Sequence, residues 1–132
     1  MSLDMLQKEL QEIAEAIMSV TDLDVTILDS SLKRIAGTGK YYERIGKLAP
    51  ENSVFEKCIK TGQQYVITEP RTCIECNECN SKENCREEAE VCYPIESDRG
   101  VEGVIGMIAF TPGQKKAFLK NQRHYMNFVS RI

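Results

Sequence analysis

The stretch that most constrains the fold is the run VEGVIGMIAF at residues 101–110, in which Glu102 is the one charged side chain. The run is far shorter than the roughly 20 apolar residues that a membrane-spanning helix needs. Its length and its β-branched residues predict a strand that is buried on both faces or central in its sheet. A second β-rich run at 91–95 is joined to it through the turn Asp98-Arg99-Gly100. The two runs are therefore expected to pair as a hairpin.

The rest of the chain supplies elements to complete a sheet around that strand. Their order is helix, hairpin, short helices, strand, insertion, hairpin and helix, which predicts an α+β fold with about five mostly antiparallel strands. A length of 132 residues suits a single domain. The predicted boundaries are an N-terminal helix at 3–20, a core at 23–111 with a cysteine-rich loop at 72–92, and a C-terminal helix at 113–132. Within the core, we predict strands at 24–29, 32–36 and 64–68, and short helices at 41–48 and 53–60.

Each terminal helix carries an apolar stripe. The first stripe consists of residues spaced three or four apart: Leu3, Leu6, Leu10, Ile13, Ile17 and Val20. Such a stripe either packs on the domain's own sheet or forms a coiled-coil seam with a second copy. The second stripe consists of Phe118, Tyr125, Val129 and Ile132. Because this pattern continues to the last residue, we expect the chain to be a piece of a longer protein.

Charge and composition narrow the classes of function. The chain has 17 basic and 20 acidic residues, a net charge of −3 and no contiguous basic run, whereas a nucleic-acid-binding domain usually carries a basic patch. Its first residues lack the apolar segment of a signal peptide. We therefore expect a cytoplasmic domain that contacts neither nucleic acid nor membrane by itself. At this length it needs no disulfide or metal merely to fold.

Five of the six cysteines follow the pattern C-x2-C-x2-C-x5-C-x6-C. In the reducing cytosol, cysteines at this density indicate a metal, a cluster or redox chemistry more often than structural disulfides. The two-residue gaps let consecutive thiolates converge on one centre. We therefore predict a metal site formed by four of five residues: Cys73, Cys76, Cys79, Cys85 and Cys92.

Three interpretations fit this pattern of cysteines. An iron–sulfur cluster takes four cysteine thiolates, and the bacterial ferredoxin motif C-x2-C-x2-C-x3-C-P shares the first three positions before this chain departs from it. Zinc sites more often use two well-separated pairs of cysteines. A thiol–disulfide switch is the third reading. The close spacing favours iron–sulfur over zinc. Cys58 stands apart on a predicted helix and is expected to be a small core residue.

Several stretches resemble a known family of sensors. The run TILDSSLKRIAGTG at 26–39 resembles the opening hairpin of PAS- and GAF-like sensory domains. The cysteine block, followed by EVCYPI at 90–95 and GVIGMIAF at 103–110, looks like the N-terminal sensor of sigma-54-dependent transcriptional regulators from anaerobic bacteria. This resemblance implies a five-stranded antiparallel sheet flanked by helices and a homodimer through the terminal helices. It also implies an AAA+ ATPase and a DNA-binding module on the full-length chain.

The leading prediction is a cytoplasmic sensory domain whose sensor is the cysteine-ligated centre. The second is a small-molecule sensor with a pocket between the sheet and the short helices, near Tyr41, Tyr42, Tyr65 and Met107, in which the cysteines form a structural zinc site. A dimerisation domain without a ligand and an electron carrier are further alternatives. The single histidine, His124, has no acid–base cluster around it, so we predict that the chain is not an enzyme.

Overall fold

The structure is a computed structural model that describes residues 3–50, 52–68 and 88–130. Its helices and strands, labelled in chain order, are α1 (Gln7–Thr21), β1 (Asp24–Asp29), β2 (Arg34–Gly37), α2 (Val54–Thr61), β3 (Tyr65–Ile67), β4 (Ala89–Ser97), β5 (Gly100–Ala109) and α3 (Pro112–Ser130). Two 3₁₀ turns, Leu3–Leu6 and Gly39–Arg44, precede α1 and follow β2. The predicted order of elements and the α+β class are confirmed.

The strands form one sheet in the order β2-β1-β5-β4-β3. All neighbouring pairs are antiparallel. Strand β5 is central and pairs with both β1 and β4, as its apolar sequence predicts. Gly106 in β5 is required by close packing, since a Cβ at this position would lie 2.7 Å from Cε1 of Phe55 on α2. Glycine therefore lets α2 approach the middle of the sheet.

Alternation along the strands gives the sheet two different faces. One face packs under α1 and α3, and we call it the α1/α3 face. Its buried residues are apolar and include Ala14, Ile17, Val25, Ile27, Ile35, Val91, Ile105, Met107 and Phe118. The other face packs under α2 and the Gly39–Arg44 turn, and we call it the α2 face. Its buried cluster includes Leu28, Tyr41, Phe55, Cys58, Ile67, Cys92, Val104 and Ile108.

The stripe of the N-terminal helix packs mainly on its own sheet. Leu3, Leu10 and Ile17 are buried in the core, and Leu6 and Ile13 are partly buried against it. Val20 at the end of the stripe is 62% exposed. Most of this stripe therefore contributes to the domain's own core.

Helix α1 also covers the edge strand β2 with two glutamine side chains. The Gln11 side-chain oxygen accepts from the Gly37 backbone N–H at 3.0 Å, and its Nε2 donates to the Gly37 carbonyl at 2.9 Å. The Gln7 Nε2 donates to the Ile35 carbonyl at 3.2 Å. These contacts satisfy backbone groups that an edge strand otherwise presents for pairing with another chain.

The start of α3 is tied to the end of α1 by Gln114. Its side-chain oxygen accepts from the backbone N–H of Phe110 at 2.8 Å and of Thr111 at 3.2 Å. In return, the Thr111 hydroxyl accepts from the Gln114 backbone N–H at 3.0 Å, which is a capping box. The Gln114 Nε2 also donates to the carbonyl of Asp22 at 3.0 Å. One side chain therefore fixes where β5 ends, where α3 begins and how α3 meets α1.

Helix α3 differs from a regular helix at one position. Asn121 has φ −114° and ψ 16°, which interrupts the helix between two helical stretches. Phe118, ahead of this break, is fully buried on the α1/α3 face. The side chains of Tyr125 and Val129, together with Ile132, lie outside the described residues. Among the described residues, no helix is long and apolar enough to cross a membrane.

Three predicted boundaries shift in the structure. The predicted helix at 41–48 is the Gly39–Arg44 3₁₀ turn, which cannot continue as a regular helix through Gly46 at φ +89°. Strand β2 begins at Arg34 because Leu32, with φ +69°, belongs to the hairpin turn. Strand β4 begins at Ala89, so residues 89–92 at the end of the predicted cysteine-rich loop are strand, paired with β5. Residues 69–87 of that segment lie outside the described residues.

Candidate functional site

Buried polar and charged groups mark the α2 face as the candidate functional site. The charged side chains Arg34 and Glu90 are each 3% exposed. They face the same side of the sheet as three other fully buried groups, which are Thr26, Cys58 and Cys92. Charged residues are almost never fully buried unless they are paired, and buried polar groups cost stability. Their concentration on one face is therefore a sign of function.

Arg34 is held in a defined position at the β2 side of this face. Its Nε donates to the Thr26 hydroxyl on β1 at 2.6 Å. Its guanidinium carbon lies 4.7 Å from the centroid of the Tyr41 ring. Because Arg34 is buried and contacts both Thr26 and Tyr41, its guanidinium is held in one orientation.

Two further cations and a second ring surround Tyr41. The Tyr41 and Phe110 rings have centroids 5.6 Å apart and planes inclined by 47°. The Arg44 guanidinium carbon lies 5.9 Å from the Tyr41 centroid, and the Lys40 Nζ lies 4.5 Å from the Phe110 centroid. We call Arg34, Lys40, Tyr41, Arg44 and Phe110 the cation–aromatic cluster. Lys40 and Arg44 are exposed to solvent, Phe110 is half-buried and Tyr41 is buried.

The local sequence explains why the turn brings these groups together. Gly39 has φ +57°, a conformation that glycine adopts without strain. The backbone N–H of Lys40 donates to the Asp24 carboxylate at 3.1 Å, which holds the turn against β1. Gly37 leaves room for Tyr41, since a Cβ there would lie 2.7 Å from the Tyr41 carbonyl oxygen. The turn therefore lays Tyr41 directly over the end of β2.

Cys58 and Cys92 lie on the opposite half of the α2 face, near Glu90. Cys58 is on α2, and both thiols belong to the same buried cluster. Burial, and next the negative charges of Glu90 and Glu96, raise the pKa of the Cys58 thiol from 9.0 to about 12. Cys58 is therefore a neutral thiol at physiological pH, in agreement with its predicted role as a core residue.

The four residues predicted to line a small-molecule pocket are not brought together. Tyr41 and Tyr65 belong to the α2 face, whereas Met107 is fully buried on the α1/α3 face. The sheet therefore separates Met107 from the two tyrosines. Tyr42 is 61% exposed and points into a different, open groove of about 330 Å³. That groove lies between α1 and the Gly39–Arg44 turn and is lined by Gln7, Lys8, Gln11, Glu12, Tyr42 and Ile45.

The predicted metal ligands fall largely outside the described residues. This applies to Cys73, Cys76, Cys79 and Cys85, whereas Cys92 is fully buried in β4, opposite Tyr65 of β3. Within residues 3–50, 52–68 and 88–130, no three His, Cys, Asp or Glu side chains are grouped so that they could hold a metal ion. The segment that carries the four cysteines connects two paired strands, since Ile67 lies opposite Glu90. The metal site remains a prediction.

Sequence reasoning missed Arg34, Lys40, Arg44 and Phe110. One signal was available, because residues 33–47 carry five Lys or Arg and a single Glu in a chain of net charge −3. These cations are spaced along a strand and a turn, so a search for a contiguous basic run does not find them. Phe110 gave no signal beyond its place at the end of an apolar strand.

Solved structures with the same architecture identify the fold. The A. aeolicus nlh2 GAF domain in an inactive state superposes with a TM-score of 0.66 at 15% identity, covering 93% of this chain and 78% of that chain. The GAF domain from an Acinetobacter phosphoenolpyruvate-protein phosphotransferase gives a TM-score of 0.65 at 9% identity, covering 96% and 82%. The chain has the fold of a GAF domain. A type II free methionine-R-sulfoxide reductase from Thermoplasma acidophilum shares this GAF-like fold, with a TM-score of 0.63 at 11% identity over 89% and 87% of the two chains.

The chain is also similar in sequence to one part of a curated relative. The chain is 35% identical over 128 residues to an Escherichia coli K12 protein named as a uric acid sigma-54-dependent transcriptional regulator, UacR. The match covers 96% of this chain but 22% of the relative, so the chain spans about a fifth of the relative's length. No protein-family model matches the chain. Fold and sequence together support a GAF-like sensory domain that resembles those of sigma-54-dependent regulators.

Proposed function

We propose that this GAF-like domain is the signal-sensing part of a sigma-54-dependent transcriptional regulator, and that it is a cytoplasmic, non-enzymatic domain. The observation that carries this proposal is the similarity to UacR across nearly the whole chain. The AAA+ ATPase and the DNA-binding module would lie elsewhere on the full-length protein. The terminal helices would form a homodimer, for which the half-exposed Leu119 on α3 and the exposed Val20 on α1 supply apolar surface.

The first candidate sensor is a cysteine-ligated metal centre. Cys73, Cys76 and Cys79 would supply three thiolates, with Cys85 or Cys92 as the fourth, and their spacing favours an iron–sulfur cluster over zinc. The segment that carries these cysteines begins and ends at hydrogen-bonded neighbours, β3 and β4. A change in the bound centre would therefore act directly on β4, which pairs with the central strand β5.

Metal and acid-labile sulfide analysis of anaerobically purified protein tests this candidate. Iron and sulfide in near-equal amounts, lost in the variants Cys73→Ser, Cys76→Ser and Cys79→Ser, are the expected result. Cys58→Ala is the matched control, since this buried thiol on α2 is not a proposed ligand and its loss is expected to leave the metal content unchanged. Stoichiometric zinc without colour would indicate a structural zinc site. Protein without metal would leave a thiol–disulfide switch, and metal retained in all three variants would contradict the ligand assignment.

The second candidate sensor is a small-molecule site on the α2 face. The observation that favours it is Arg34, a buried charge fixed between Thr26 and Tyr41 on the face that carries α2. The name of the E. coli relative supplies the first compound to test, uric acid. Isothermal titration calorimetry of the anaerobically purified chain with urate is expected to show binding at a one-to-one ratio. Absence of both binding heat and a shift in melting temperature would contradict this compound as the signal.

A further inference from the structure

We propose that the cation–aromatic cluster is a binding site for a small organic anion with a flat apolar body, such as an aromatic carboxylate or an acidic heterocycle. The proposal rests on the second candidate function and deepens it, because it names the residues that would make the contacts and the charge of the ligand. The cluster consists of Arg34, Lys40, Tyr41, Arg44 and Phe110, as defined above. It lies where the Gly39–Arg44 turn crosses the ends of β2 and β5.

The cation–aromatic cluster has a local excess of positive charge. Three cationic side chains converge on two neighbouring rings, with cation-to-centroid distances of 4.7 Å for Arg34, 5.9 Å for Arg44 and 4.5 Å for Lys40. In the described part of the chain, neither the Lys40 ammonium nor the Arg44 guanidinium has a carboxylate within ion-pair distance. The Asp24 carboxylate near Lys40 accepts from the backbone N–H of the turn. Within the described residues, an anion would therefore find two cations that are not engaged in ion pairs.

The cationic side chains of the cluster extend from the solvent into the interior of the domain. Lys40 and Arg44 are exposed at the outer end of the cluster, whereas Arg34 is 3% exposed at the inner end. Arg34 is already ordered by Thr26 and Tyr41, so a ligand would not have to immobilise its side chain. Guanidinium groups bind carboxylates and similar planar anions through paired hydrogen bonds, and they stack on aromatic faces. The half-buried Phe110 ring supplies apolar surface for the body of such a ligand, whereas the buried Tyr41 ring contacts Arg34 and Arg44.

The cluster is connected to α3 by a hydrogen bond. Phe110 is a cluster residue, and its backbone N–H donates to the Gln114 side chain at 2.8 Å. The same side chain caps the start of α3 and contacts the carbonyl of Asp22 at the end of α1 at 3.0 Å. A ligand that packs on the Phe110 ring would therefore contact a residue that is hydrogen-bonded to Gln114, the side chain that connects β5, α3 and α1. A sensory domain requires such a connection between its ligand and the element that carries the signal onward.

Exposed cations stacked on aromatic rings, such as Lys40 and Arg44, also stabilise a turn without any ligand. The two readings differ in what the exposed cations do. If they serve the turn alone, their removal changes the melting temperature and leaves ligand affinity unchanged. If they bind an anion, their removal lowers affinity and the loss follows the ligand's charge.

Isothermal titration calorimetry on the anaerobically purified chain separates these readings. The probes are urate, benzoate and succinate as anions, with hypoxanthine as an uncharged purine of similar shape to urate. The variants are Lys40→Gln with Arg44→Gln, and Arg34→Lys, which keeps the charge but removes the planar fork. Lys47→Gln is the matched control, since Lys47 is an exposed cation of the same segment with no contact to either ring. Melting temperatures confirm that each variant folds.

We expect urate or benzoate to bind, succinate and hypoxanthine to bind more weakly, and the double variant to lower the anion affinity about tenfold or more, as the loss of a charge-assisted contact implies. Lys47→Gln is expected to change affinity less than twofold. Anion binding that survives both the double variant and Arg34→Lys would overturn the assigned site while leaving a small-molecule sensor intact. Hypoxanthine binding as tightly as urate would overturn the anionic class. Failure of every probe to bind would overturn this proposal and the small-molecule candidate, but not the metal centre.

Discussion

The two faces of the sheet are built from the same strands yet differ in kind. On the α1/α3 face, β1 contributes Val25 and Ile27 to a cluster of apolar side chains. On the α2 face, the intervening residue Thr26 accepts a hydrogen bond from the buried Arg34. Hydrophobic burial favours folding roughly in proportion to the apolar area removed from water, whereas a buried charge opposes folding unless it is paired. The first face therefore stabilises the domain through apolar burial, and the second carries the buried polar groups that make it the candidate site.

The difference also shows how a signal could leave the domain. The α2 face contains the candidate site, and the α1/α3 face packs under the two terminal helices. They meet just after β5, where Phe110 packs against Tyr41 and donates its backbone N–H to the Gln114 side chain. If one face mainly stabilises the domain and the other carries the candidate site, substitutions on the first should mainly lower stability and substitutions on the second should also change binding.

The largest effect is expected from Ile27→Ala on the α1/α3 face. Ile27 is fully buried in β1, and its truncation leaves a cavity, so we expect a loss of about 2–5 kcal/mol in the free energy of unfolding. Urea denaturation followed by circular dichroism measures it, with Ile27→Val as the conservative control at about 0.5–1.5 kcal/mol. Ligand and metal binding of the folded fraction should be unchanged. A loss below 1 kcal/mol, or a loss of binding in the folded fraction, would break the proposed division.

The next residue in the chain tests the other face. Thr26→Val keeps the shape of the side chain but removes the hydroxyl that accepts from the Arg34 Nε, so we expect a loss of about 1–3 kcal/mol from an unsatisfied buried donor. Thr26→Ser keeps the hydroxyl and is expected to retain most of the stability. Anion affinity measured by calorimetry should fall in Thr26→Val, because Arg34 loses one of the contacts that position it. Equal behaviour of the two variants would show that the hydrogen bond has no such role.

The apolar face was largely predictable from the sequence, and the polar face was not. Residues 101–110 are apolar almost throughout, so their central strand follows from local composition alone. The burial of Arg34 depends instead on a register shift between Ile27 and Leu28 and on a turn that lays Tyr41 over it. These features depend on hairpin register and turn geometry, which the residue pattern alone does not specify. The alternation of side chains along a strand places Met107 on the opposite face of the sheet from Gly106 and Ile108. This alternation does not indicate which helix covers each face.

A smaller effect is expected at the edge of β2, where α1 contributes hydrogen bonds in addition to apolar packing. Gln11→Ala removes two hydrogen bonds to Gly37, and we expect a loss of about 1–2 kcal/mol in the free energy of unfolding. Glu12→Ala is the control, since Glu12 is exposed on the next position of the same helix. Size-exclusion chromatography should also reveal more self-association in Gln11→Ala, because the edge of β2 becomes available for pairing. A variant as stable and as monodisperse as the control would show that α1 acts on this strand through its apolar stripe alone.

The smallest effect is a pH dependence that originates on the α2 face at Cys58. Burial, and next the charges of Glu90 and Glu96, raise the pKa of this thiol from 9.0 to about 12 in the folded protein. The folded state therefore favours the neutral thiol, so its stabilising contribution is complete below pH 9 and is lost as the pH rises from about 9 to about 12. By pH 10 we expect a loss on the order of 1 kcal/mol that is absent from Cys58→Ala, measured as the difference between the two denaturation profiles at pH 8 and pH 10. Parallel profiles would show that Cys58 does not titrate differently in the folded and unfolded chains. In that case its burial beside Glu90 would have no electrostatic consequence, and the polar character of the α2 face would rest on Arg34 and Thr26.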